Sequence, residues 1–391
     1  RAATFVGANR AWESAGDVVA ACLNGLSGTR LTLQSRRGYS DFLGPALQDA
    51  GITRRTLDAL LEVIRAQRPL ARRFLAAKAR ALNLPTLAMY DVRAPLGQDT
   101  EPTSWADARE IVASAFGAFH APLGEVAALA FERRWVDHSP RPGKRPGAFC
   151  SASHVTGEPR VFMTYHGTLG DIRTLAHELG HAYHSWLMRD LRHLRRGYPM
   201  TLAETASTFA EQVVFDALLD APGTTDAQRL AILGSRLLGA ATFLLDIPAR
   251  YDFEHTFYTA RAGGEVSVDR LCALMVDAQA ASYGDAVDAA TLDPWFWASK
   301  LHFHLPDVHF YNFPYTFGYL LSLALFARAR REGPAFLQTY ERFLIGTASA
   351  TPEDLARDVL GVDLGDPAFW AASIPVIEDD LARFEALTPT P

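Results

Sequence analysis

The chain has 391 residues, of which 49% are hydrophobic, and a formal net charge of −6. This size and hydrophobic content predict a large buried core, arranged in one large domain or in two to three lobes. With 38 basic and 44 acidic residues, the charge does not favour nucleic-acid binding, and the apolar runs are too short to predict a membrane span. Three widely spaced cysteines argue against a disulfide framework and indicate a reducing compartment, so we expect a cytoplasmic protein.

Residues 1–134 have the pattern of a helical N-terminal part. In Thr56–Leu82, apolar residues recur at spacings of three and four, which is typical of an amphipathic helix. Pro69 lies inside this stretch and should break or kink it. A further helix is expected to begin after Ser104, whose hydroxyl suits an N-cap.

Residues 135–220 begin with a loop rich in proline and glycine, followed by two strand-like stretches, Ala148–Val155 and Arg160–Tyr165. The turn between them predicts a β-hairpin. We expect an exposed edge at Val161, Met163 and Tyr165 to bind an extended peptide through backbone hydrogen bonds. The alternative is that the hairpin only packs on the next helix.

The following helix carries the sequence His177-Glu178-Leu-Gly-His181. Two histidines four residues apart lie on one face of a helix, and a glutamate after the first can reach water on a metal held between them. Asp171 is expected to cap this helix. Gly180 costs about 1 kcal/mol relative to alanine, which predicts the close approach of a facing helix. Alone, the pattern is short enough to occur on an ordinary amphipathic helix.

A catalytic zinc site needs a third protein ligand and an open position. The glycine and histidine that metzincins carry after this motif are absent, so that class is excluded. Glu204 lies 23 residues after His181 and could be the ligand, or it could form a capping box with Thr201. Glu211, two turns further on, either orients a ligand or binds the substrate amine, and the alternative is a buried helix–helix contact. His184 is expected to support the ligands rather than bind metal.

Residues 221–391 form a C-terminal part that contains an unusual segment, Lys300–Tyr319, with three histidines and three tyrosines. Tyrosine hydroxyl and histidine N–H groups can donate hydrogen bonds to the oxyanion that forms when water attacks a peptide carbonyl. The alternative is an aromatic-rich helix end that only packs the lobes together.

The motif helix, followed by Met200-Thr-Leu-Ala-Glu204-Thr-Ala-Ser-Thr-Phe-Ala-Glu211, resembles the oligoendopeptidase F branch of the thimet-oligopeptidase family of zinc metallopeptidases. The stretches Lys144–Cys150, Thr164–Asp171 and Phe343–Thr347 are also similar to it. The resemblance implies a mostly α-helical, two-lobed fold with a small sheet beside the active-site helix and a deep channel that admits peptides. Members are usually longer, with a further N-terminal helical lobe.

The resemblance also assigns roles to residues. It implies one Zn²⁺ ion bound by His177, His181 and Glu204, with Glu178 as the general base. The His/Tyr segment is similar to a C-terminal element of the family, which implies the following roles: His309, Tyr311 and Tyr315 as catalytic donors, and Tyr319 as a substrate-binding residue.

The expected function is therefore hydrolysis of internal peptide bonds in oligopeptides. Two alternatives use the same residues: a helical zinc carboxypeptidase or dipeptidase, and a catalytically silent lobe that only binds peptides. The expected partners are oligopeptides, without nucleic acid or membrane, and the sequence does not indicate an oligomeric state.

Overall fold

The structure, a computed structural model, describes residues 1–96 and 102–388. Helices dominate, as the sequence predicts. They are α1 (Ala2–Arg36), α2 (Gly44–Ala50), α3 (Arg54–Ala81), α4 (Trp105–Phe119), α5 (Ala121–Glu132), α6 (Leu169–Leu187), α7 (Met200–Asp220), α8 (Asp226–Ala241), α9 (Ile247–Arg261), α10 (Val268–Tyr283), α11 (Phe296–Ser299), α12 (Phe313–Glu332), α13 (Pro334–Gly346), α14 (Pro352–Leu355), α15 (Pro367–Ala371) and α16 (Ile374–Ala386).

Two long helical stretches differ from expectation. The break expected at Pro69 is wrong, because α3 continues through this residue while its apolar residues on both sides are buried in the core. The run Asp226–Arg261 is long and apolar enough by length and composition to cross a membrane, which the short apolar runs of the sequence did not indicate. Of the most apolar 18-residue stretch in this run, 61% is buried inside the protein. The core helix of a soluble protein can have the same length and composition.

One small sheet contains β1 (Val136–Asp137), β2 (Phe149–Ala152) and β3 (Pro159–Phe162), in the order β1-β3-β2. The expected hairpin is confirmed, since β2 pairs with β3 in antiparallel fashion. The strand that the sequence did not predict is β1, which pairs with β3 in parallel.

The position of β1 overturns the predicted peptide-binding edge. The backbone N–H groups of Val161, Met163 and Tyr165 all donate to carbonyl groups in and beside β1, at N···O distances of 2.9, 3.1 and 2.9 Å. Their side chains are also buried. Because β3 is the central strand, the edge expected at these residues is wrong, and the edge opposite β1 belongs to β2.

The hydrogen-bond pattern shows which groups β2 presents at that edge. The Ser153 N–H donates to the Glu158 carbonyl at 2.9 Å, which marks these two residues as a bonded pair. Bonded and non-bonded pairs alternate along an antiparallel ladder. The N–H and C=O groups of Cys150 and Ala152 therefore point away from β3.

The chain packs into two compact units. The first comprises Arg1–Leu96, Leu237–Thr316 and Glu378–Pro391, and the second comprises Gly97–Arg236 and Phe317–Ile377. Each unit combines segments that are distant in the sequence, whereas the predicted division into 1–134, 135–220 and 221–391 follows chain order. The sheet, α6 and α7 all lie in the second unit.

Candidate active site

The helix that carries the motif begins with a capping box. The Thr168 hydroxyl accepts a hydrogen bond from the Asp171 N–H at 3.1 Å, and the Asp171 carboxylate accepts one from the Thr168 N–H at 3.0 Å. Asp171 thus caps the helix as predicted, but from the third helical position, and the N-cap residue itself is Thr168. This arrangement satisfies free N–H groups at the start of α6.

Three side chains from α6 and α7 converge in the second unit. Glu204 Oε2 lies 3.3 Å from His177 Nε2 and 3.6 Å from His181 Nε2, and one donor atom from each residue fits within 4.8 Å of the others. Among the described residues these three form the one such group that could hold a metal ion. Two imidazole nitrogens and one carboxylate oxygen form the ligand set of many catalytic zinc sites.

Glu211 supports this group from the next turns of α7. Its Oε1 lies 2.6 Å from His177 Nδ1, the ring nitrogen that faces away from Glu204. A carboxylate that accepts the second N–H of a histidine fixes the ring orientation and makes the ligand more basic. The supporting residue Glu211, as well as the three candidate ligands, therefore suits a zinc site. The capping role considered for Glu204 is not observed, because α7 begins after Pro199 and the Glu204 carboxylate accepts from the Ser207 hydroxyl at 2.8 Å.

The two helices approach closely at Gly180, as the sequence predicts. A Cβ atom at this position would lie 2.6 Å from the Ala206 carbonyl oxygen and 2.7 Å from Ser207 Cα. Those atoms belong to the backbone of α7 and cannot rotate away. Glycine at position 180 therefore sets the separation at which Glu204 reaches both histidines.

The charges in the group are strongly coupled. Burial alone would lower the pKa of His177, but hydrogen bonds with Glu204 and Glu211 raise this pKa to about 10. Burial would raise the pKa of Glu204, yet the hydrogen bond and charge of His177 lower it to about 2. Burial and the positive charge of His177 lower the pKa of His181 to about 4. The carboxylates thus favour positive charge at this point, which suits a divalent cation.

Glu178 lies beside the group with 4% of its surface exposed. Its Oε2 is buried and forms no hydrogen bond with the described residues. Burial raises the pKa of Glu178 to about 7, with a smaller contribution from the neighbouring carboxylates. A carboxyl group with a pKa near neutrality and a free oxygen is suited to accept and return a proton.

The edge strand β2 lies beside this carboxyl group. Burial raises the pKa of Cys150 on β2 to about 12, and the charge of Glu178 adds to the rise. The Cys150 side chain and the candidate base thus lie close enough to interact electrostatically.

His184 is fully buried one turn beyond the ligands. Its Nε2 lies 3.0 Å from the Leu344 carbonyl oxygen and 2.9 Å from the Thr347 hydroxyl, and its ring stacks on Tyr198 at 4.4 Å. These hydrogen bonds join α6 to α13 and do not involve the candidate metal ligands. Tyr319, on α12 in the same unit, is 4% exposed, and its substrate-binding role stays a prediction.

Residues 300–316 of the His/Tyr segment lie in the first unit. Its rings form a cluster in which Tyr311 and Tyr315 lie 5.5 Å apart and His302 stacks on Tyr315 at 5.7 Å. His302 Nδ1 lies 2.9 Å from the Asn312 side-chain oxygen, which orients the ring. The roles of Tyr311 and Tyr315 stay predictions. His302 was not among the predicted site residues, although it lies in the same segment.

His309 has different surroundings from the tyrosines. Its Nε2 donates to the Phe42 carbonyl at 3.0 Å and lies 3.0 Å from the Gln34 side chain. Nε2 of His309 is therefore already engaged by the Phe42 backbone and the Gln34 side-chain amide. The catalytic role predicted for His309 is untested, and the contacts within the unit favour His302 as the histidine that accompanies the tyrosines.

The sequence pattern that defines peptidase family M3 matches residues 120–373, which is more than half of the chain. The chain belongs to peptidase family M3. Oligopeptidase PepF of Bacillus subtilis is 29% identical over 356 residues, covering 89% of this chain and 52% of that protein. The resemblance to the oligoendopeptidase F branch is thus confirmed.

Solved structures of other peptidases share the fold. Oligoendopeptidase-F from Enterococcus faecium superposes with a TM-score of 0.74 at 22% identity, covering 99% of this chain and 63% of that chain. Metallocarboxypeptidase 1 of Trypanosoma cruzi superposes with a TM-score of 0.63 at 15% identity, covering 96% of this chain and 79% of that chain. These similarities confirm the mostly α-helical metallopeptidase fold. The M3 chain described here spans about half the length of the curated relatives it matches.

Proposed function

We propose that this M3 chain is a zinc-dependent endopeptidase that hydrolyses internal bonds of oligopeptides. One observation carries the proposal: His177, His181 and Glu204 converge beside Glu178, whose Oε2 is buried and has no hydrogen-bond partner in the part of the chain that the structure describes. The three free cysteines are consistent with action in a reducing compartment, so a cytoplasmic location is part of the proposal.

His177, His181 and Glu204 would hold the zinc ion. When bound, zinc supplies Lewis acidity that polarises the peptide carbonyl and increases the acidity of water. Glu178 accepts the proton of the attacking water and passes it to the nitrogen of the leaving amine. Glu211 holds the ring of His177 in the orientation that binding requires.

The negative charge that develops on the carbonyl oxygen needs further donors. We assign this role to the hydroxyl groups of Tyr311 and Tyr315, with His302 orienting the Tyr315 ring by stacking. His309 remains the alternative histidine. Hydrogen bonds to an oxyanion in a site that excludes water contribute about 3 to 4 kcal/mol to catalysis.

The edge of β2 replaces the edge of β3 as the proposed peptide-binding element. Cys150 and Ala152 direct backbone N–H and C=O groups outward, so an extended peptide could add to the sheet as a fourth strand. Such bonds do not depend on the side chains of the peptide. We therefore expect broad sequence tolerance in the substrate.

The variant Glu178→Gln tests the proposed base. Glutamine keeps the shape of the side chain but cannot accept the proton, so zinc content should stay at one ion per chain while kcat falls by about 10³-fold or more. Metal analysis and cleavage of an internally quenched fluorescent peptide measure the two quantities. Glu132→Gln, an exposed glutamate on α5, is the matched control. Retained turnover in Glu178→Gln would exclude Glu178 as the base.

Peptides with blocked ends distinguish an endopeptidase from a carboxypeptidase or dipeptidase. The fold similarity to a metallocarboxypeptidase is the reason to test this alternative. An endopeptidase cleaves a peptide that carries an acetylated N-terminus and an amidated C-terminus. A carboxypeptidase or dipeptidase loses activity on this peptide because it must bind a free terminus. Zinc binding without cleavage of any peptide would indicate a peptide-binding lobe instead.

The proposed edge can be tested at Ala152. Proline there removes an outward N–H group while leaving the bonds to β3 intact. Loss of one backbone hydrogen bond of about 1 kcal/mol should raise KM about fivefold. Ala152→Ser keeps the N–H group and serves as the control. Equal KM values in the two variants would argue against peptide addition at β2.

A further inference from the structure

Two charged side chains hold the backbone of the loop that precedes α12. Arg30, on α1, donates from its guanidinium group to the Val308 carbonyl at 2.7 Å and also to the Leu305 carbonyl. Glu254, on α9, accepts a hydrogen bond from the Phe310 N–H at 2.7 Å. All of these residues belong to the first unit and none has a part in the mechanism proposed above.

Phe310 has an unusual backbone conformation. Its φ angle is +53°, in the left-handed region that bulky residues rarely adopt. Such a conformation persists only where the surroundings fix it. The Phe310 ring is 1% exposed and packs against Phe42 at 5.8 Å and Tyr258 at 5.4 Å, while the Glu254 carboxylate holds its amide. The residue is thus fixed at its side chain and at its backbone.

The turn at Phe310 directs its two neighbours, His309 and Tyr311, into different surroundings. His309 is directed to the Phe42 carbonyl, whereas Tyr311 lies 5.4 Å from His302 and 5.5 Å from Tyr315. A relaxed backbone at Phe310 would change the direction in which Tyr311 leaves the turn. The conformation of this one residue therefore sets the position of the tyrosine cluster.

Glu254 is poorly explained as a packing residue. It is 2% exposed, and its Oε2 is buried without a hydrogen-bond partner among the described residues. Burial of a carboxyl group with an unsatisfied oxygen is unfavourable, and an apolar side chain would fill the same space at less cost. The bond from the second oxygen to Phe310 is the interaction that a carboxyl group adds here.

We propose that Glu254 is a positioning residue, which holds the left-handed turn at Phe310 and thereby places Tyr311 and Tyr315 for reaction. The inference rests on the proposed function, in which those tyrosines stabilise the oxyanion. Glu254 acts through the backbone and does not touch the substrate.

The test compares three substitutions with a control. Glu254→Gln keeps an acceptor oxygen and the side-chain shape, so kcat should stay within about threefold of the parent. Glu254→Leu fills the space without an acceptor, and kcat should fall by about 10- to 100-fold with KM nearly unchanged, because small displacements of catalytic groups have effects of this size. Glu254→Asp withdraws the acceptor by one methylene group and should give an intermediate loss. Glu265→Gln, at an exposed position in the same unit, should have no effect.

Hydrogen exchange at the Phe310 amide gives a readout that does not depend on activity. The amide should be protected in the parent protein and in Glu254→Gln, and should exchange faster in Glu254→Asp and Glu254→Leu. If Glu254→Leu does not fold, the aspartate variant carries the same comparison. Unchanged protection in the aspartate variant, or equal damage by glutamine and aspartate, would overturn the inference.

Tyrosine variants separate this inference from the proposed function. If Tyr311→Phe and Tyr315→Phe retain full kcat, the oxyanion role of the tyrosines is wrong, whereas the exchange data still decide whether Glu254 holds the turn. If the tyrosine variants lose kcat but Glu254→Leu retains it per folded molecule, the positioning role is wrong and the oxyanion role stands.

Discussion

The contact between α6 and α7 at Gly180 leads to a prediction that can be worked out from distances. In Gly180→Ala, the new Cβ atom would lie 2.6 Å from the Ala206 oxygen and 2.9 Å from Ala210 Cβ. Ordinary contacts between carbon and a carbonyl oxygen are about 3.3 Å or longer, and those between carbons about 3.5 to 4.0 Å. The helices must therefore separate by roughly 0.7 to 1 Å at this point, since the atoms of α7 that block the methyl group are backbone atoms and a Cβ atom.

This displacement opposes the usual benefit of alanine in a helix. Overpacking of a helix interface costs about 1 to 3 kcal/mol, against a gain of about 1 kcal/mol in helix propensity. We expect a net loss of up to about 2 kcal/mol in the free energy of unfolding. Glu204 lies two residues before Ala206, and metal–ligand distances tolerate only about 0.2 Å, so zinc affinity should fall by about tenfold or more.

Gly239→Ala is the matched control, because Gly239 also lies in a helix but a Cβ atom there would meet no atom within 4 Å. It should be neutral or stabilising by up to about 1 kcal/mol, with zinc affinity unchanged. Urea unfolding of the metal-free proteins and zinc competition with a chromogenic chelator measure the two effects. If Gly180→Ala is as stable as Gly239→Ala and binds zinc as tightly as the parent, the close approach does not position Glu204.

Three further predictions concern the metal, its support and a buried lysine. Glu211→Ala removes the partner of His177 Nδ1 and should weaken zinc binding about 10- to 100-fold, measured by the same competition assay, whereas an effect on stability alone would contradict the supporting role. Removal of zinc by a chelator should abolish peptide cleavage but leave the helical circular dichroism intact, because α6 and α7 are held by their own buried apolar residues. Burial and the nearby charges of Arg93 and Arg1 lower the pKa of Lys78 to about 8. From about pH 8 to about 10.5 the unfolded chain therefore binds more protons than the folded chain, and the free energy of unfolding should rise with pH by up to about 3 kcal/mol. Lys78→Met should remove this rise in urea titrations at about pH 7.5 and about pH 10, and a persistent rise would assign it to another group.

The sequence predicts those parts of the site that depend on local spacing. The pairing of His177 with His181 follows from helix periodicity, and the close helix approach follows from a glycine inside the motif helix. Glu204 was a different case, because its spacing alone allowed either a ligand or a cap. The resemblance to a family favoured the ligand, and the structure brings its carboxylate to both histidines.

Features that depend on pairing between distant segments could not be predicted. The two-residue strand β1 has too few residues for a recognisable alternation, yet it occupies the edge that would otherwise be free on β3. Which histidine lies beside the tyrosines also depends on tertiary packing, since the three histidines of this short segment look equivalent in the sequence. Phe310 shows the same limit, because nothing local predicts a left-handed backbone at a phenylalanine.

The four-residue length of β2 has a consequence for which chains can be cleaved. A segment can pair with this strand only if its own backbone N–H and C=O groups are not already engaged, and folded proteins satisfy nearly all of theirs internally. A native strand or helix would have to break several of its own bonds to gain a few at β2. Competition for backbone hydrogen bonds at β2 would then be enough to favour unstructured chains as substrates. No steric barrier against folded proteins would be needed.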